Sequence, residues 1–391
     1  MPTPDKRGRR NFQQKISAEN FWCLPMTSRF GAPHRKKREI TPGCSRPQDE
    51  PAQRHGILFH MALRDDLSSL VKGDVSIAPE DLASHSRDTS IFERRPQVVV
   101  YPKDVDDVIA TVRFVHDAKK NGRALALAAR SAGTDMSGGP LTDGVVLSFT
   151  KYMNKLVAIG HDYAVAEPGM YYRDFEKTTL EKSKSILPSY PASRGLCAIG
   201  GIVSNNSGGE LTLEYGKTER YVEELEVILS DGSRVSMREL SEAELEEKKA
   251  LKTFEGEIYR KVHALITEHA DTIEAARPTV SKNSAGYALW NVYDKEQKTF
   301  NLAKLIVGSQ GTLGIVTKAR LKLVQLKPHR AMMVMFLSDI HLLPSVVKRV
   351  LAHKPESFES YDDHTFRLAV RFMPQIIRQL GFVQMIQLGF A

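Results

Sequence analysis

Three glycine-rich stretches hold the residues of this chain that are best suited to bind a phosphate group. Their sequences are RSAGTDMSGG at residues 130–139, AIGGIVSNNSGG at 198–209 and VGSQGTLGIVT at 307–317. Glycine lets backbone N–H groups come close to phosphate oxygens, and N–H groups in a concave turn form an anion site without any lysine. The first stretch therefore predicts a pyrophosphate site. Taken alone it is better explained as a surface loop, but the occurrence of all three favours a site.

The elements predicted around these stretches place them at the ends of apolar runs. Residues 124–129 (ALALAA) predict a buried strand before the first stretch, and residues 189–193 (SYPAS) favour an extended turn before the second. Around the third stretch, the apolar residues 305–307 and 315–323 predict two strands that flank a tight glycine crossing.

The rest of the chain predicts a mixed α+β fold. Asp104 is placed to cap a helix whose apolar residues recur with helical spacing. Further predicted elements are strands at 145–149 and 163–167, a helix at 172–184 and a hairpin at 222–237. Residues 239–270 are charged and helix-prone, which predicts a solvated pair of surface helices.

The charge of the chain is concentrated at its start. The net charge is +8, but residues 1–60 carry twelve Lys or Arg against five Asp or Glu, so the rest is nearly neutral. A nucleic-acid surface would spread its basic residues along the folded domain, so we expect no nucleic-acid partner. Residues 1–60 are interpreted as a disordered basic extension, or as the result of a translation start placed before a true start at Met61. An organelle transit peptide is disfavoured because no clear amphipathic helix is present.

Neither a membrane helix nor a metal site is predicted. No apolar run approaches the ~20 residues of a membrane helix, and no secretory signal is present, so we expect a cytoplasmic protein, with peripheral membrane association as the alternative. Cys23, Cys44 and Cys197 lie too far apart for a disulfide framework or a metal site. His364, beside two aspartates, is interpreted as a surface or capping residue.

Six motifs follow one another in an order that points to a known family. They are PQVVVYPKDVDDV at 96–108, RSAGTDMSGG, YPAS with IGGIVSNNSGG, EELEVILSDGS at 223–233, KNSAGY at 282–287 and GSQGTLGIVT at 308–317. Together they resemble the FAD-binding domain of the vanillyl-alcohol oxidase and p-cresol methylhydroxylase superfamily. Within it, they are most similar to the branch of D-lactate dehydrogenase and the glycolate oxidase flavoprotein subunit. The resemblance covers roughly residues 85–330.

The resemblance implies an α+β fold with a two-subdomain FAD-binding domain of the p-cresol methylhydroxylase type. The expected domains are the extension at 1–60, a lead-in at 61–93, the FAD-binding domain at 94–327 and an incomplete α+β cap at 328–391. In the family the cap supplies most of the substrate pocket. Residues 332–337 (MMVMFL) resemble its first strand and residues 342–351 its following helix, so the cap is expected to begin and then stop.

The resemblance also implies the residues that contact FAD. Those of the first stretch are Arg130, Ser131, Ala132, Gly133, Thr134, Asp135, Ser137 and Gly138. Those of the second and third are Pro191, Ser193, Gly200, Gly201, Ser204, Asn205, Asn206, Gly208, Gly314 and Ile315. Covalent relatives often have a histidine where Thr134 and Asp135 stand, so non-covalent FAD is expected. Departures from the family are Ser131 and Ala132, where glycines are usual, and Gln310, where glutamate is common.

The implied activity is FAD-dependent oxidation of a D-2-hydroxy acid such as lactate or glycolate, by hydride transfer to flavin N5. Electrons would pass to a quinone, a cytochrome or a partner flavoprotein. Lys282 is a candidate for holding the substrate carboxylate, with a solvated turn residue as an equal alternative. Tyr287 is a candidate for the substrate face of the flavin, with a core residue as the alternative.

Three other functions stay open. One is a flavin enzyme acting on a sugar lactone or an alkyl-glycerone phosphate, and another is a non-catalytic FAD-binding fragment that needs a partner. A dinucleotide-binding module of the Gly-x-Gly-x-x-Gly type is the third, but the chain lacks that motif after a strand.

Overall fold

A computed structural model of the chain describes residues 61–280, 283 and 285–380. The chain divides between Val334 and Met335 into two units. The interpretations of residues 1–60, of Cys23 and Cys44 and of Lys282 fall outside the described residues.

Short strands and helices alternate through the first unit. The strands are β1 Asp74–Ser76, β2 Val98–Tyr101, β3 Leu127–Arg130, β4 Val145–Ser148, β5 Leu156–Ile159, β6 Tyr163–Ala166, β7 Ser185–Ile186, β8 Val222–Ile228, β9 Arg234–Arg238, β10 Leu240–Ser241, β11 Tyr293–Asp294, β12 Thr299–Phe300, β13 Ile315–Lys322 and β14 Val324–Gln325. The helices are α1 at residues 61–68, α2 Pro79–Ser84, α3 Val105–Lys120, α4 Tyr172–Ser183, α5 Ile199–Ser204, α6 Thr212–Tyr215, α7 Glu242–Ala250, α8 Phe254–Glu268, α9 Ala270–Ala276 and α10 Ala303–Ile306.

The first sheet has the order β1-β2-β4-β3, in which β2, β4 and β3 run parallel and β1 is antiparallel. Strands β2 and β4 are buried along their whole length, which explains their unbroken valine-rich sequences. Helix α3 connects β2 to β3, and Asp104 caps it by accepting a hydrogen bond from Asp107 N at 3.2 Å, as predicted. The first glycine stretch begins at the carboxyl end of β3, since that strand ends at Arg130 and not at the predicted 129.

The second sheet is antiparallel, in the order β5-β6-β13-β8-β9. The predicted hairpin at 222–237 is confirmed as β8 and β9, and the strand at 163–167 as β6. Each sheet has its own hydrophobic core, and Ile228 and Ile315 at the ends of β8 and β13 are buried in the core of the first sheet. The two sheets with their helices confirm the α+β class.

Two predictions in this unit are wrong. Residues 305–307 do not form a strand, because Ala303–Ile306 is a helical turn that ends just before the third stretch. Residues 239–270 do form two helices, α7 and α8, but α8 is not solvated all round. Its residues Ile258, Tyr259 and Val262 are buried in the core of the second sheet, so this helix is an amphipathic element of the fold.

The second unit contains the helices α11 Leu343–Leu351 and α12 Asp363–Leu380. Helix α11 confirms the helix predicted at residues 342–351. The strand predicted at 332–337 is wrong: these residues have no strand pairing, and Phe336 is 94% exposed. An apolar run becomes a strand only where a neighbouring strand completes its hydrogen bonds. Over the described part of the chain, no helix is long and apolar enough to cross a membrane.

Candidate cofactor site

The three glycine stretches lie together and are joined by hydrogen bonds. Asn205 Nδ2 in the second stretch donates to Asp135 Oδ1 in the first at 2.9 Å. Gln310 in the third stretch contacts both of the others: its backbone N donates to Ser204 O at 2.9 Å and its Nε2 donates to Ser137 Oγ at 3.2 Å. Residues that are 70 and 173 positions apart in sequence are thus in direct contact, and the three stretches form one surface, as their shared composition predicts.

The Asp135 carboxylate organises the first stretch. It accepts hydrogen bonds from Ser137 Oγ at 2.7 Å, Gly139 N at 2.8 Å and Ser137 N at 3.1 Å, besides that from Asn205. Burial opposes ionisation of this group, but these donors outweigh it and hold the pKa of Asp135 below its ordinary value. Its negative charge is therefore stabilised by these hydrogen-bond donors.

The preceding residues of the same loop offer backbone donors that bond to no described residue. The N–H groups of Ser137, Gly138 and Gly139 bond to carboxylates. By contrast, the backbone N–H groups of the five successive residues 132–136, which include Thr134, donate to none of the described residues. Such a run of free backbone donors in a turn is an anion-binding arrangement.

Arg130 lies beneath this loop and is 8% exposed. Its Nη2 donates to Arg87 O at 2.8 Å and approaches Ser84 O at 3.4 Å, while its Nη1 is buried with no partner among the described residues. Burial lowers the pKa of the guanidinium, and the charge of Asp88 partly offsets this effect. Arg130 thus anchors the loop and retains one unused donor.

The departures from glycine at Ser131 and Ala132 do not strain the loop. Left-handed backbone within the first stretch occurs only at Gly133, with φ +68°, and Gly138, with φ +85°. Both positions that need glycine therefore have it.

The second stretch begins at the amino end of α5. Gly200 N and Ser131 Oγ both donate to Pro168 O, at 2.8 and 2.9 Å, so the first and second stretches meet at this carbonyl. Gly200 has no room for a side chain, because a Cβ there would lie 2.5 Å from Ser131 Oγ. Gly201 has room, since its nearest neighbour would be Ser131 Cβ at 4.0 Å.

The end of the second stretch is fixed by its neighbours. Gly209 packs on the backbone of Pro191, and Ser193 O accepts a hydrogen bond from Cys197 N at 2.9 Å. Asn206 has a left-handed φ of +46°, and its side chain exchanges hydrogen bonds with Glu219. Pro191, Ser193 and Asn206 were predicted to contact FAD, but Ser193 and Asn206 have clear structural partners.

A buried polar cluster follows Asn206. A Cβ on Gly208 would lie 2.5 Å from Thr212 Oγ1, a buried hydroxyl without a partner among the described residues. Lys217 is 6% exposed and its ammonium donates to Asn283 O. This cation is not predicted from the sequence, because nothing in the polar segment around it distinguishes it from a surface lysine.

The third stretch contains a buried hydroxyl and a strained residue. Ser309 Oγ is buried and has no partner among the described residues. Gln310 adopts a left-handed φ of +53°, which costs a non-glycine residue about 1–2 kcal/mol. Gly314 lies against Val227, where a Cβ would come within 2.6 Å, and the Ile315 side chain is part of the core. Ile315 can therefore face a ligand only through its backbone.

Tyr287 is held against the third stretch. Its hydroxyl lies 2.9 Å from Thr312 Oγ1, and Thr312 Oγ1 donates to Ser309 O at 2.6 Å. The Thr312 proton is thus committed, so Tyr287 is the donor of the first bond. Since Tyr287 is 38% exposed, it is not a core residue. The other candidate, Lys282, lies outside the described residues.

His85 is a titratable group at this site that the sequence analysis missed. Its Nδ1 lies 2.8 Å from Asp81 O and its Nε2 lies 3.0 Å from Ser148 Oγ, at the carboxyl end of β4. Burial lowers the pKa of His85, and the positive charge of Arg130 lowers it further. The carbonyl next to His85, that of Ser84, is the one that Arg130 approaches.

This lowered pKa predicts a pH dependence of stability. The folded chain binds a proton at His85 less readily than the unfolded chain, whose ordinary pKa is 6.5. The contribution of His85 to the free energy of unfolding should therefore be complete above pH 6.5, and the free energy of unfolding should decrease as the pH drops below that value. In His85→Gln the fall should be smaller but still present, because burial also lowers the pKa of His263. Urea unfolding at several pH values would measure it, and equal pH profiles would contradict it.

The arrangement defines a class of domain: two sheets that bring three glycine stretches together around free backbone donors, as a nucleotide-cofactor domain does. Residues 96–238 match the family described as FAD binding domain. The chain is 28% identical over 315 residues to a D-2-hydroxyglutarate dehydrogenase of Pseudomonas putida, covering 80% of this chain and 31% of the relative. It is 27% identical over 283 residues to the glycolate oxidase subunit GlcD of Bacillus subtilis, covering 71% and 48% respectively.

Among solved structures, the chain is similar to an alkyldihydroxyacetonephosphate synthase, with a TM-score of 0.43 and 16% identity over 74% of this chain and 43% of that one. The chain thus spans less than half the length of these relatives. The match of residues 96–238 to the FAD-binding domain family confirms the resemblance inferred from the motifs.

The residues of the site are compatible with FAD. The free backbone donors at 132–136 suit a pyrophosphate, and the unused donors of Arg130 and Ser309 are buried groups that a ligand could satisfy. Among the described residues, no three His, Cys, Asp or Glu side chains come together in a way that could hold a metal ion.

Proposed function

We propose that this chain is the flavin-binding part of an FAD-dependent oxidoreductase that oxidises a D-2-hydroxy acid of the lactate or glycolate type. One observation carries the proposal: the backbone N–H groups of five successive residues, 132–136, bond to no described residue and lie where the three glycine stretches meet. The family match of residues 96–238 supports FAD as the ligand. The names of the relatives support a 2-hydroxy acid as the substrate class.

In the proposed mechanism the chain binds and orients, and FAD, when bound, supplies the hydride acceptor. The backbone of residues 132–136 would hold the pyrophosphate, with Arg130 Nη1 beneath the loop and Ser309 Oγ in the third stretch as further donors. Thr134 and Asp135 stand where covalent attachment would need a histidine, so FAD would be held without a covalent bond. Electrons would leave to a quinone, a cytochrome or a partner flavoprotein.

Tyr287 is the described residue best placed to contact a substrate. Its hydroxyl donates to Thr312, so its oxygen keeps lone pairs that could accept a hydrogen bond from a substrate hydroxyl. It would orient that hydroxyl by accepting its hydrogen bond. A cation for the substrate carboxylate would be Lys282.

The visible absorbance spectrum of the purified chain tests this proposal first. Twin flavin bands that pass into the supernatant after acid precipitation would support non-covalent FAD. Anaerobic addition of D-lactate, glycolate or D-2-hydroxyglutarate should then bleach the bands, and the L-enantiomers of the chiral acids serve as controls. If FAD binds but none of these hydroxy acids bleaches it, the result would favour the alternative of a non-catalytic FAD-binding module that needs a partner. A chain that stays colourless after incubation with excess FAD would refute the proposal.

A further inference from the structure

A short hairpin of residues 86–94 lies against the first glycine stretch. It is closed by the hydrogen bond from Arg94 N to Ser86 O at 2.9 Å and by an antiparallel bridge between Arg87 and Glu93. Between these closing contacts, its tip reaches the loop formed by residues 130–139. We call residues 86–94 the loop hairpin.

Thr89, at the tip of the loop hairpin, makes the closest contacts with the glycine loop. Its backbone N donates to Asp135 O at 3.0 Å. Its hydroxyl lies 2.8 Å from Asp135 O and 3.1 Å from Thr134 O, so its proton is shared between the two carbonyls. Nearby, Asp88 Oδ2 accepts a hydrogen bond from Gly138 N at 2.9 Å. Two successive carbonyls of the loop are thus fixed from the hairpin side.

The fixed carbonyls determine where the neighbouring N–H groups point. In a trans peptide the C=O of one residue and the N–H of the next point in opposite directions, and no cis peptide is present in the described chain. With the carbonyls of Thr134 and Asp135 turned toward the hairpin, the N–H groups of Asp135 and Met136 point away from it. These are two of the donors that bond to no described residue.

We propose that the loop hairpin orients the anion-binding donors of the first glycine stretch, and that Thr89 is the positioning residue. This inference rests on the proposed function, because it assigns the pyrophosphate of FAD as the anion. Thr89 need not touch the cofactor. It acts by holding the carbonyls on one side of the loop, so that the donors on the other side are already aimed before FAD arrives, which reduces the entropy lost on binding.

Thr89→Val tests this role, because valine keeps the shape of threonine and removes its hydroxyl. Losing one such hydrogen bond costs about 1 kcal/mol, so we expect the Kd for FAD to rise about fivefold. Without FAD, hydrogen exchange at the amides of Gly138 and Gly139, which bond to Asp88 and Asp135, should become faster by a similar factor. Thr89→Ser keeps the hydroxyl and should restore both values.

Thr267→Val is the matched control, because the Thr267 hydroxyl also donates to a backbone carbonyl, that of His263 at 2.8 Å, but lies in α8. It should change neither the exchange at Gly138 and Gly139 nor the affinity for FAD. Equal exchange and equal Kd in Thr89→Val and the wild type would overturn the inference. If the wild type binds no FAD, the proposed function is refuted. The exchange experiment would still decide whether Thr89 orders the loop.

Discussion

Gly133→Ala is expected to destabilise the chain by about 3 kcal/mol or more and to weaken FAD binding about tenfold or more. Gly133 has a φ of +68°, and a Cβ there would overlap the guanidinium of Arg130, lying 2.8 Å from its Nε. A flexible arginine at the surface could move aside at little cost. This one is buried and bonded to Arg87 O, so moving it would leave buried polar groups without partners and distort the loop.

Gly122→Ala is the control that separates backbone strain from the clash. Gly122 also has a positive φ, +78°, but no atom lies within 4 Å of the Cβ position. It should lose about 1 kcal/mol from the left-handed backbone alone and leave FAD binding unchanged. Urea unfolding without FAD and FAD titration would measure both variants. Equal losses of stability in the two would show that the contact of Gly133 with Arg130 is not important.

The sequence predicted well those elements whose local pattern fits a single type of secondary structure. The helix after Asp104 combines a cap, acidic residues in its first turn and a long apolar repeat, and it begins directly after Asp104, as predicted. The run at 305–307 was assigned to the wrong element because three apolar residues suit a buried helical turn as well as a strand. The run at 332–337 looked like a strand because its composition does not reveal whether a partner strand exists.

The candidate site was predicted in outline for a similar reason. Glycine marks the places where backbone must turn or come close, so the three stretches could be found from composition alone. The residues that hold these stretches in place could not be found in this way. Thr89 and His85 lie in ordinary polar sequence, and their partners Asp135 and Ser148 are 46 and 63 residues away. These residues reach the loop because β2 and β3 both pair with β4, and because the hairpin precedes β2 while the loop follows β3.

Gly200→Ala is expected to destabilise the chain by about 2 kcal/mol, although alanine is the better helix former. A Cβ at this position would lie 2.5 Å from Ser131 Oγ, 2.7 Å from Pro168 Cβ and 3.0 Å from Pro168 O. The Ser131 hydroxyl and Gly200 N already share Pro168 O as their acceptor. The methyl group would therefore push the first and second stretches apart, and we expect a loss of FAD affinity together with the loss of stability.

Gly201→Ala is a control for stability in the same helix, one residue further on. Its Cβ would meet only Ser131 Cβ, at the ordinary contact distance of 4.0 Å, so the helix should gain up to about 1 kcal/mol. Chemical unfolding without FAD compares the two variants directly. Opposite signs at adjacent glycines of α5 would mean that Gly200 is required by the packing of the two stretches and not by its backbone conformation. A stable Gly200→Ala variant would show instead that the stretches can separate without cost, and the close approach at Pro168 O would lose its importance for the site.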